Sequence, residues 1–107
     1  MRDELLPGTL DMLILRALSL APMHGYAIAQ HLRQVSLEVL HVEEGSLYPA
    51  LQRVLAKGWV KAEWRETPTK RRARYYTITS AGRKQLGDEV ASFSRMALAI
   101  QRVVGQV

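Results

Sequence analysis

Trp59-Val60-Lys61-Ala62-Glu63-Trp64-Arg65-Glu66-Thr67-Pro68-Thr69-Lys70-Arg71-Arg72-Ala73-Arg74-Tyr75-Tyr76-Thr77-Ile78 is where the apolar period of the chain changes from near four to two. Val60, Ala62 and Trp64 alternate with Lys61, Glu63 and Arg65, the pattern of a half-buried strand. On this pattern Trp64, like Trp59, is expected to be a core residue rather than a platform for stacking bases. Thr67-Pro68-Thr69 supplies a turn, and Arg72 to Ile78 returns as a second strand with Arg72, Arg74, Tyr76 and Ile78 on one face. The pair forms a hairpin whose tip and return strand are basic. Residues 59–84 hold eight basic side chains against two acids, a net +6, and the remainder holds seven against eight, a net −1. The whole +5 of the chain therefore sits in one quarter of it. Lys70-Arg71-Arg72-Ala73-Arg74 repels itself in isolation and is stabilised by meeting phosphates.

Upstream, the pattern is helical. Pro7-Gly8 is a turn signal and Thr9 is placed to cap a helix over residues 10–20. In that helix only Asp11, Arg16 and Ser19 are polar, so it is apolar nearly all round and calls for cover on two sides, its own core on one and a second chain on the other. Ala21-Pro22-Met23-His24-Gly25 is a turn, followed by a helix over 26–35 with Ile28, Leu32 and Val35 on one face. Ser36 to Glu44 is a connector, apolar enough (Leu37, Val39, Leu40, Val42) to pack partly into the core.

The third helix spans about Gly45 to Lys57. Leu47, Leu51, Val54 and Leu55 face inward, Ser46, Pro49, Gln52 and Arg53 outward, and Tyr48 and Lys57 lie on the flanks. Pro49 lacks an amide hydrogen and is expected in the first turn, and Gly58 ends the helix. After the hairpin, Thr79 caps a last helix over residues 80–104. Its apolar residues Leu86, Val90, Phe93, Ala97, Ile100, Val104 and Val107 follow at spacings alternating between four and three, a heptad seam. The chain of 107 residues is thus one compact domain of mainly α structure with a two-stranded β wing: residues 1–79 form a winged helix-turn-helix unit and 80–107 a dimerisation helix. A seam of this length at the chain end implies a homodimer.

Composition narrows the chemistry. There is no cysteine, which excludes disulfides and thiol nucleophiles and agrees with a reducing cytoplasm as its location. His24, His31 and His41 are not at metal-ligand spacing, so no metal or other cofactor is expected. Glu43-Glu44 suits the positive end of a helix better than paired acid–base work. No apolar run reaches membrane-spanning length, Met1-Arg2-Asp3-Glu4 lacks a signal-peptide pattern, and no catalytic motif is present.

The order helix, helix, helix, basic hairpin, helix has a mechanical reading. A helix-turn-helix places its second helix in the DNA major groove. Here that helix is 45–57, with Ser46, Tyr48, Gln52, Arg53 and Lys57 available to bases or phosphates. The Gly45-Ser46 start suits phosphate contact through free amides. Lys70, Arg71, Arg72 and Arg74 of the wing would grip the backbone of double-stranded DNA. The competing use of such a fold is a protein-interaction module that docks an acidic partner.

The chain also resembles a known family. His24-Gly25-Tyr26, Glu44-Gly45-Ser46-Leu47-Tyr48-Pro49-Ala50-Leu51, Lys57-Gly58-Trp59-Val60 and Arg72-Ala73-Arg74-Tyr75-Tyr76-Thr77-Ile78-Thr79-Ser80-Ala81-Gly82 are together similar to the PadR transcriptional regulators, in the short branch with a single C-terminal helix. The resemblance covers nearly the full chain and implies a winged-helix homodimer, joined through its last and first helices, that represses transcription at an inverted-repeat operator. In multidrug-binding members of that branch a tryptophan of the last helix lines a cavity between protomers. Phe93 stands at the matching position, without the indole donor, and Met12 and Met96 are placed to line the same space for a small hydrophobic or aromatic effector.

Overall fold

The computed structural model describes residues 8–105, so Pro7 and Val107, and with them the ends of the two expected units, lie outside the described residues. Helix α1 (Thr9–Leu20) is followed by a short strand β1 (Met23–His24), helices α2 (Gly25–Val35) and α3 (Glu44–Ala56), the hairpin β2 (Val60–Glu66) and β3 (Arg72–Ile78), and the long helix α4 (Ser80–Val104).

Helix α1 is the hub. It touches α2, α3, β3 and α4. Leu10, Met12, Ile14, Leu15, Ala17 and Leu18 are all buried within one chain. The expectation that one side of α1 needs a second chain is therefore corrected: α4 and β3 supply that cover, and Leu20, beyond their reach, is the large apolar residue of α1 left exposed. The start also differs. Gly8, at φ +84°, precedes the helix and Thr9 is its first residue, with no side-chain cap bond.

The turn read over residues 21–25 contains β1, which pairs antiparallel with β3 through Met23↔Tyr76 and His24↔Tyr75. The sheet is consequently three-stranded, in the order β1-β3-β2. Two residues carry too little periodicity to be seen in a sequence. His24 then caps α2, its Nδ1 accepting from the Ala27 amide at 3.1 Å. On α2 the inward face is Ile28 and Leu32, whereas Val35 is exposed, because the chain leaves the helix there. In the connector only Val42 reaches the core, and Leu37 and Val39 are exposed.

Helix α3 begins one residue earlier than expected, and Pro49 lies beyond the first turn rather than in it. It is the sixth residue of the helix, where its ring forgoes a bond to the Gly45 carbonyl. That carbonyl lies on an exposed residue and can be hydrated instead. Leu47, Ala50, Leu51 and Val54 are buried against the hub. The helix ends in a two-bond lock: Gly58, at φ +74°, donates to the Leu55 carbonyl and Trp59 to the Val54 carbonyl, both at 3.0 Å.

The hairpin has a buried base and a protruding tip. Val60, Tyr76 and Ile78 are core residues, while the outer half carries the charge. Thr79 then joins three elements. Its amide donates to the Trp59 carbonyl at 2.9 Å, its hydroxyl donates to the Gly58 carbonyl at 2.8 Å, and the same oxygen accepts from the Gly82 amide at 3.1 Å to cap α4. The approach is so close that a Cβ at position 82 would lie 2.1 Å from the Trp59 carbonyl oxygen. Gly82→Ala should therefore push α4 off the sheet and destabilise the fold by about 3 kcal/mol, the upper end for overpacking. Urea unfolding followed by circular dichroism measures this, and an unchanged midpoint would show that the junction yields freely.

Candidate nucleic-acid interface

A buried carboxylate sets where α3 lies. Asp11 is 5% exposed on the hub helix. The Arg53 guanidinium reaches it across 42 residues of sequence, Nη2 donating to Oδ1 at 2.9 Å and Nε to Oδ2 at 3.4 Å. The carboxylate hydrogen bond raises the Arg53 pKa above its ordinary value, against an opposing desolvation. The side chain expected to read a base is thus committed to the protein itself, and only part of the Arg53 guanidinium faces outward. Its first role is to hold α3 against α1.

A second contact sets the angle between α2 and α3. The Tyr48 ring lies over Gly25, where an added Cβ would meet the hydroxyl at 3.2 Å and Cε1 at 3.3 Å. Tyr48 is half-exposed and so both packs and presents a polar edge. Beside it, Tyr26 at the start of α2 is 70% exposed and stacks on His24, whose other neighbour is the edge of Tyr75.

Of the outward residues of α3, Ser46, Pro49 and Gln52 are exposed. Lys57 is exposed at the far end, its Nζ 4.6 Å from the centre of the Trp59 ring. The phosphate contact expected at Gly45-Ser46 meets an obstacle. Glu44 lies in the first turn, and the Ser46 amide already donates to the Glu43 carbonyl at 3.0 Å. A carboxylate there satisfies the helix dipole and repels an anion.

The wing is different. Lys70, Arg71, Arg72 and Arg74 form no ion pair among the described residues, whereas Arg65 pairs with Glu63. Lys70, at φ +64°, turns the chain at the tip. Arg74 lies near enough to Tyr76 to act on its hydroxyl. Burial is the main cause that raises the Tyr76 pKa, Arg74 lowers it, and Tyr48 raises it slightly. Arg74 and Tyr48 thus both lie within electrostatic reach of the buried Tyr76 hydroxyl. Trp64, read as core, is instead 61% exposed, because the hydrophobic base ends at Ala62 and the strand runs on past it.

Residues 14–88 match the Transcriptional regulator PadR-like family. The chain belongs to the PadR-like family of transcriptional regulators. Members of this family are DNA-binding regulators and not enzymes. The fold is similar to that of a transcriptional regulator from Clostridium thermocellum, with a TM-score of 0.81 and 27% identity over 89% of each chain. It is also similar to a PadR family regulator from Clostridium difficile, with a TM-score of 0.76 and 26% identity over 91% of this chain and 99% of that one. Among curated proteins, an uncharacterised 37.1 kDa protein of transposon TN4556 from Streptomyces fradiae is 43% identical over 87 residues, which is 81% of this chain and 24% of that protein. This PadR-like chain has no helix among its described residues long and apolar enough to cross a membrane, and no acid or histidine group there that could hold a metal.

The Arg53–Asp11 fork has an asymmetric consequence. Arg53→Ala strands a buried carboxylate and should cost about 3 kcal/mol, the lower end for breaking a buried pair. Asp11→Asn leaves a half-exposed guanidinium that water can serve, and should cost about 1 kcal/mol. Chemical denaturation of both variants tests this order, and equal costs would mean that Asp11 is satisfied without Arg53.

Proposed function

We propose that this PadR-like regulator acts as a homodimeric repressor of an inverted-repeat operator. The observation that carries this reading is the exposed polar face of α3 together with a basic wing whose Lys70, Arg71, Arg72 and Arg74 form no ion pair among the described residues. Each protomer would set α3 in a major groove, with half-sites about one helical turn, ~34–36 Å, apart or a multiple of it. Gln52, Ser46 and the Tyr48 edge would face bases, and Gln52 can bond adenine twice. Lys70, Arg71, Arg72 and Arg74 would neutralise phosphates, and Lys57 would do so at the far end of α3.

What supports the dimer is α4. Val90, Phe93, Ile100 and Val104 of the heptad seam are exposed in the single chain, with Phe93 49% exposed, and Leu86 at its near end is packed on the core. Ala97, between them, is partly covered. An unbroken apolar strip on a helix that runs beyond the core is the surface a two-fold partner would bury. Phe93 and Met96 would then border the space between the two α4 helices, where a small hydrophobic or aromatic effector could bind and relieve repression. Met12 is buried within its own chain and would sit behind that space.

Two measurements test the reading. Sedimentation should find particles of twice 12.1 kDa, and Ile100→Glu should return them to 12.1 kDa with the winged unit still folded. A monomer for the unaltered protein, with target duplex present, would remove the two-fold mechanism. In gel shifts on DNA upstream of the regulated gene, Gln52→Ala should cost about 1–3 kcal/mol at one base position only. Arg71→Ala should weaken all sequences alike and lower the salt slope by about one. A loss confined to one sequence for Arg71→Ala would place that residue at a base.

A further inference from the structure

The arginines of the wing are sorted by what they rest on. Glu66 stands directly across from Arg72 in the β2–β3 register, the position from which cross-strand ion pairs form. No ion pair forms on that rung among the described residues. Instead the Arg72 guanidinium carbon lies 5.6 Å from the centre of the Trp64 ring, within cation–π reach. Trp64 itself is opposite Arg74, so the exposed indole shares one face of the wing with Arg72 and Arg74. On the other face Arg65 lies 5.3 Å from the Tyr75 ring but also spends its donors on Glu63. A carboxylate partner occupies a guanidinium's N–H groups and repels an incoming anion. An aromatic face does neither.

We propose that Trp64 is a positioning residue for DNA binding, a platform that holds the Arg72 guanidinium in place with its donors unspent for phosphate oxygens. This rests on the DNA-binding reading given above. The physical gain is preorganisation. A long side chain already confined over a ring loses less rotamer freedom when it meets the duplex. The exposed indole, costly on a soluble surface, is retained by a strand that has passed beyond the core.

The test is a double-mutant cycle on affinity for a random-sequence duplex of about 30 base pairs, roughly three helical turns, across a range of salt concentrations. Trp64→Ala should weaken binding about two- to five-fold, the scale of an exposed cation–π contact, and Trp64→Phe should restore most of it. The effect of Trp64→Ala should vanish in an Arg72→Ala background. Arg72→Ala should lower the salt slope by about one, while Trp64→Ala leaves the slope unchanged, because the phosphate contact persists in weaker form. Unchanged unfolding midpoints keep the comparison on folded protein. A loss from Trp64→Ala that persists without Arg72, or no loss in the unaltered background, overturns the proposal while DNA binding stands. Failure of the unaltered protein to bind the duplex at low salt would instead overturn the DNA-binding reading, and this proposal with it.

Discussion

A carboxylate buried on the hub of a small domain has to be answered, and Arg53 answers Asp11. Helix α1 is surrounded by α2, α3, β3 and α4, so a charge on it has little access to water. Its two oxygens accept from two nitrogens of one rigid guanidinium, a fork that constrains direction as well as distance. Apolar packing of Leu47, Leu51 and Val54 brings α3 to the hub, but such packing is tolerant of small rotations about the helix axis. The fork and the Tyr48–Gly25 contact are directional, and between them they determine which side of α3 faces outward. The outward polar face of α3 is thus set by directional contacts made behind it.

The other end of the chain obeys a steric constraint. Thr79 and Gly82 let α4 start almost in contact with the Trp59 carbonyl, so the helix leaves the sheet on a course set by the β2–β3 base. Wing and α4 are therefore rooted in one junction, which also holds the end of α3 through the Gly58 carbonyl. Any change in the angle of α4 bears on the elements that would touch DNA.

Much of this was legible in residue order. The change of period at residue 60, the Thr79 cap, the Gly58 stop and the inward residues of α3 correspond to the structure because each is a local signal with a local cause. The apolar character of α1 was legible too, although not what covers it, nor that Asp11 is buried and Leu20 exposed. Three other features were not. β1 is two residues long and exists only because β3 lies beside it. The pairing of the outward Arg53 with Asp11 was hidden because the two are 42 residues apart. Trp64 continued an alternating pattern beyond the point at which the core stops, and alternation cannot say where a core ends.

Local chemistry along the chain thus determined the elements, their order, the concentration of positive charge on one hairpin and the unbroken apolar strip of the last helix. Those are properties of neighbours in sequence, carried by backbone preference and periodicity. Tertiary structure alone decided which of the charges remain unspent. Arg53 and Arg65 are drawn into ion pairs, while Lys70, Arg71, Arg72 and Arg74 form none among the described residues. Whether a cation is consumed or available depends on which carboxylate the fold brings within reach, and that is a distance no reading of the chain contains.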